Sequence, residues 1–142
     1  MYTGEPKSGL EFYKLLYDSE EFTSELGKVT LASGKLEAEI KVFLNQNNIK
    51  GNFQRATLGQ LIEIVEKNKL FSGNFITALK QISKQRNYIT HNIYALFSDL
   101  IDETILEKND LIDLDVTLYI SRVWHLNQDL NGLANLIKEK KK

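Results

Sequence analysis

The sequence predicts an all-α fold, an up-and-down helical bundle of four to five helices, and three observations predict it. The only proline is Pro6, so nothing further along the chain forbids long helices. Apolar residues recur at alternating steps of three and four over most of the length, which is the helical period. The stretches between these runs are short and rich in asparagine, glycine, aspartate and serine. With 142 residues, 42% of them hydrophobic and 26% charged, a single domain over residues 1–142 is large enough to bury its own core.

Taken in order, a first short amphipathic segment over residues 10–17 places Leu10, Tyr13, Leu16 and Tyr17 at helical spacing, and a turn around Asp18 and Ser19 follows. The second helix, about residues 20–45, carries Phe22, Leu26, Val29, Ser33, Leu36, Ile40 and Phe43 in the strongest periodic pattern of the chain. The run NQNNIKGN ends it, since asparagines and Gly51 favour a loop. A third helix opens at Thr57, which has capping-box spacing to Gln60, buries Leu58, Leu61, Ile62 and Val65, and stops near Lys69. Ser72 or Asn74 then caps a fourth helix bearing Phe75, Ile76, Leu79, Ile82, Ile89, Ile93 and Leu96. A last helix is read from Val116, Ile120, Val123, Trp124, Leu130, Leu133 and Ile137. Its first part, residues 114–121, alternates well enough to imitate a strand, but an isolated strand would have no pairing partner, so helix is kept.

Composition narrows the function. The chain has no cysteine, which removes disulfides and every thiolate metal site and suits a reducing compartment. The first twenty residues lack a basic region followed by an apolar one, and no window is apolar for the length of a membrane span, so a cytoplasmic protein without membrane contact is expected. A net charge of −1 is not the footprint of a general nucleic-acid binder. The distribution is uneven: Lys67, Lys69, Lys80, Lys84 and Arg86 fall in a stretch without acids that can attract phosphate, and Asp99 to Asp115 is a predominantly acidic, solvated connection. Neither a metal nor another cofactor is expected. His125 has no second histidine at ligand spacing, no nucleophile elbow surrounds Ser83 or Thr90, and the glycines form no phosphate loop.

One residue breaks the pattern. A rotation of about 100° per residue puts Arg86 within roughly 60° of Ile82, Ile89 and Ile93, so the guanidinium points at the core. A buried charge needs a partner, and Glu25 or Glu37 flanks the apolar stripe of the second helix at a suitable angle. On another face of the same helix, Lys80, Lys84, Asn87 and His91 share a rim. His91 lies about 140° around an ideal helix from Arg86, so bringing both to one phosphate takes a bend, a helix end or a second subunit. Histidine moves protons near neutral pH and arginine stays charged, which together suit phosphate chemistry. Tyr88 and Tyr94 can stack on bases or fill a bundle or dimer face.

The run Arg86-Asn87-Tyr88-Ile89-Thr90-His91 resembles the signature of HEPN domains, the higher-eukaryote and prokaryote nucleotide-binding family, in which an arginine and a polar residue precede a histidine by a few positions. The resemblance extends over most of the chain: a long second helix containing Leu36-Glu37, the segment Thr57 to Ile62, the motif helix and a closing helix, in the order of the HEPN bundle. It implies a metal-independent endoribonuclease, of toxin or antiphage type, acting as a homodimer with the two motifs facing one another. By that analogy Arg86 holds the scissile phosphate, and His91 assists attack by the ribose 2′-hydroxyl or protonates the leaving oxygen. Asn87 orients them and Glu37 supports Arg86. Lys80, Lys84, Tyr88 and Tyr94 are then substrate contacts, and an antitoxin or regulatory protein is a possible partner. RNA is implied because DNA lacks the hydroxyl. Two other readings stand beside it: a catalytically silent HEPN-like module that binds a nucleotide or a partner protein, and a plain helical interaction module in which Arg86 only pairs with an acid.

Overall fold

The computed structural model describes residues 13–91 and 113–140. Leu10, Ile93, Tyr94, Leu96 and most of the acidic connection therefore lie outside the described residues. Within them every regular element is helical: α1 over residues 13–18, α2 over Glu20–Gln46, α3 over Leu58–Lys67, α4 over Gly73–His91 and α5 over Asp113–Glu139. The protein is an all-α bundle.

Local chemistry sets the boundaries. Ser19 alone separates α1 from α2: its amide donates to the Leu16 carbonyl at 3.2 Å, and its Oγ accepts from the Phe22 amide at 3.1 Å. Glu20 and Glu21 in the first turn complement the helix dipole. Asn48, with φ 57°, turns the chain out of α2 in the left-handed region that asparagine tolerates. Thr57 and Gln60 form the full capping box of α3, the Thr57 amide donating to Oε1 of Gln60 at 2.9 Å and the Gln60 amide to Oγ1 of Thr57 at 3.2 Å. Of the two candidate caps of α4 it is Ser72 whose Oγ accepts from the Phe75 amide, at 3.2 Å.

The core takes its largest share from α2 and α5, which lie against each other over much of their length. Phe22, Val29, Leu36, Ile40 and Phe43 of α2 are buried as the period predicts, Ser33 is buried among them, and Leu26 is only partly covered. In α3 Leu58, Leu61, Ile62 and Val65 are buried, and in α4 Ile76, Leu79 and Ile82. The stripe of α5 differs from expectation. Val116, Tyr119, Val123, Leu126, Leu130, Ala134 and Ile137 face inward, whereas Trp124 is 45% exposed and Ile120 and Leu133 are half-buried. Trp124 sits one position beyond Val123, hence about 100° around the helix, and cannot share its face. The strand-like alternation of residues 114–121 is part of this helix.

Side-chain pairs fix the directions. Lys35 Nζ meets Oδ1 of Asn135 at 3.4 Å, and Phe43 near the end of α2 stacks on Phe71 with centroids 4.8 Å apart, where Lys140 past the end of α5 lies 5.9 Å over the same ring. Thus α2 and α5 run side by side in the same sense. Phe75, at the start of α4, packs 4.8 Å from Phe71 at that same pole, so α4 runs opposite to both. Lys80 and Glu66 likewise place α4 against α3.

Candidate functional site

Arg86 is positioned by the helix turn that buries Ile82 before it and half-buries Ile89 after it. Its guanidinium crosses to α2, where Nη2 stands 3.5 Å from Oε1 of Glu37, with the two side chains 26% and 25% exposed. Between the two sequence candidates the structure selects Glu37, because Glu25 turns to Lys28 at 3.4 Å on its own helix. The guanidinium is neither sealed in the core nor on an open surface.

The pair opens into a groove of about 400 Å³ between α2 and α4. From α2 come Leu26, Val29, Thr30, Ser33, Gly34 and Glu37, and from α4 Arg86 and Ile89. Gly34 keeps the groove clear: a Cβ added there would meet no atom within 4 Å. Ser33 is only 6% exposed, and its Oγ has no hydrogen-bond partner among the described residues. A buried hydroxyl in that state costs roughly 1–3 kcal/mol relative to a satisfied one. In the sequence Ser33 belongs to the buried stripe of α2, and its signal there is a hydroxyl among the six apolar residues of that stripe.

The remaining sequence candidates distribute as follows. Lys80, Lys84 and Asn87 are exposed and line no part of the groove, and Lys80 is held at 2.6 Å by Glu66 of α3. The backbone of His91 closes the described part of α4, about 7.5 Å along the axis from Arg86. The side chains of Tyr88 and His91, and all of Tyr94, lie outside the described residues. His125 is exposed, with Nδ1 2.7 Å from the Ser121 carbonyl and its ring edge-on to Trp124. Ser83 is buried, its Oγ facing Gly59 across the α3–α4 contact. Among the described residues no cluster of three or more histidine, cysteine, aspartate or glutamate side chains could hold a metal ion, and no helix is long and apolar enough to cross a membrane.

Compared with family models, with curated proteins and with solved structures, the chain matches none.

Proposed function

We propose that the chain is a metal-independent endoribonuclease of the HEPN type, a cytoplasmic toxin or antiphage-like protein that acts as a homodimer. The observation that carries this reading is the placement of Arg86: a permanent cation, held by Glu37 at the wall of an accessible groove between α2 and α4. In the proposed reaction the ribose 2′-oxygen bonds to phosphorus and the bond from phosphorus to the 5′-oxygen breaks. One His91 takes the 2′-hydroxyl proton, and the same histidine of a second copy gives a proton to the leaving oxygen, so no water or metal is consumed. Arg86 stabilises the charge on the phosphoryl oxygens, Asn87 orients the phosphate, and Lys80, Lys84, Tyr88 and Tyr94 hold the flanking RNA. An antitoxin or regulatory protein restrains the activity.

The test is cleavage of a mixed-sequence RNA in excess EDTA by the wild type and by Arg86→Ala and His91→Ala. The wild type should leave 2′,3′-cyclic phosphate ends, and each variant should lose cleavage while keeping its helical circular dichroism. A folded, dimeric wild type that cuts no RNA defeats the proposal. The second reading, a catalytically silent module that binds a nucleotide or a partner protein, is favoured by the same Glu37, which offsets the charge of Arg86. It predicts binding that survives His91→Ala.

A further inference from the structure

The α2–α4 groove has features that phosphate recognition alone does not call for. Beside the Arg86–Glu37 pair it contains a buried hydroxyl with no hydrogen-bond partner among the described residues, a glycine that leaves open space, and apolar walls from Val29 of α2 and Ile89 of α4. Its volume of about 400 Å³ is that of a small-ligand pocket. Ser33 and Glu37 are four residues apart on one helical face, so their Cα atoms are about 6 Å apart along α2. The groove therefore offers a slot with one edge made of a carboxylate followed by a hydroxyl.

Single-stranded RNA is read by inserting bases between side chains and bonding their Watson–Crick edges. An ionised carboxylate only accepts hydrogen bonds, and it has two oxygens to fill. Adenine and cytosine each place one donor beside a ring-nitrogen acceptor, and uracil places one donor between two carbonyls. Guanine alone presents two adjacent donors, N1–H and the exocyclic amine, followed by the O6 acceptor.

We infer that this groove is a guanine-binding pocket in which Glu37 accepts from N1–H and the 2-amino group, and the Ser33 hydroxyl donates to O6. The base packs against Ile89, Val29 borders the O6 end of its edge, and Gly34 gives it room. Arg86, 3.5 Å from Glu37, marks the side on which the adjoining phosphate sits. The inference takes its substrate class from the proposed nuclease, and the protein accordingly favours RNA with a guanosine at the cleaved position.

Binding can be read without cleavage. Guanosine, inosine and adenosine 3′-monophosphates are titrated into the wild type by calorimetry, with amide shifts of Ser33 and Gly34 followed by NMR. Guanosine should bind at least about tenfold tighter than adenosine, since a good bidentate pair discriminates by about that much or more, and inosine, lacking the 2-amino group, should fall between them. Glu37→Gln should abolish the preference, and Ser33→Ala should weaken guanosine and inosine alike. Gly34→Leu, in which the new side chain fills the slot without meeting neighbouring atoms at its Cβ, should block binding while the protein stays folded. Equal affinity for guanosine and adenosine, absence of binding at millimolar nucleotide, or a preference that survives both Glu37→Gln and Gly34→Leu overturns the pocket. Guanosine preference without RNA cleavage would sink the nuclease alone; cleavage without guanosine preference would sink the pocket alone.

Discussion

Arg86 and Glu37 are 49 positions apart in sequence and 3.5 Å apart in space, on helices that run in opposite directions, and each side chain retains about a quarter of its exposure. That setting lies between a surface ion pair, which contributes at most about 1 kcal/mol, and a sealed one, whose rupture costs several.

Removing the charge from Arg86 should therefore alter catalysis far more than folding. Arg86→Met is expected to shift the free energy of unfolding by less than about 1 kcal/mol, because the methionine keeps most of the apolar contact and solvent reaches Glu37. RNA cleavage by the same variant should fall by about a hundredfold or more. Urea unfolding and a cleavage assay on one preparation check both, and a loss of more than about 2 kcal/mol would mean that the pair is a structural strut.

The register of α5 can be tested by two truncations. Leu126→Ala removes a side chain that is 1% exposed and should cost about 2–5 kcal/mol. Trp124→Ala, at a position 45% exposed, should cost at most about 1 kcal/mol despite the larger residue removed. Thermal or urea unfolding decides; the reverse ranking would return the tryptophan to the core.

The start of α3 depends on Thr57. Thr57→Ala removes the oxygen that accepts from the Gln60 amide and should destabilise the protein by about 0.5–2 kcal/mol, whereas Thr57→Ser should be close to neutral. Both are read by urea denaturation.

Two glycines should respond to alanine with opposite signs. Gly132 lies within α5 with nothing near its Cβ position, so Gly132→Ala should stabilise by roughly 0.5–1 kcal/mol. Gly51 has φ 154°, and a Cβ there would meet the Phe53 ring at 2.7 Å, so Gly51→Ala should destabilise by more than that gain. Melting temperatures of the two variants should move apart from that of the wild type.

Several of these features were legible in the sequence because they are local or periodic. The Thr57–Gln60 box needs only spacing, the α2 stripe only the helical period, and the inward turn of Arg86 follows from its angle to Ile82 and Ile89. What sequence could not settle required distance across the fold. Glu25 and Glu37 flank the α2 stripe almost equivalently, and only the placement of α4 selects Glu37. Two apolar faces of α5, one through Trp124 and one through Leu126, compete until α2 lies against the second. Lys80 shares a face with Lys84 and Asn87, yet its charge is drawn to Glu66 on a helix whose direction the sequence does not give. Ser33 is the clearest case: a hydroxyl in a buried stripe reads as tolerated until a groove is seen in front of it.

The pile of Phe43, Phe71 and Phe75 fastens the ends of the long helices at one pole, and Phe43 is ten positions from Ser33, about 15 Å along α2. Substitutions that far apart without shared neighbours add independently. Robustness and the groove of the proposed recognition are thus housed in separate parts of one helix: the aromatic end can drift under selection for thermal tolerance without disturbing Ser33 or Glu37.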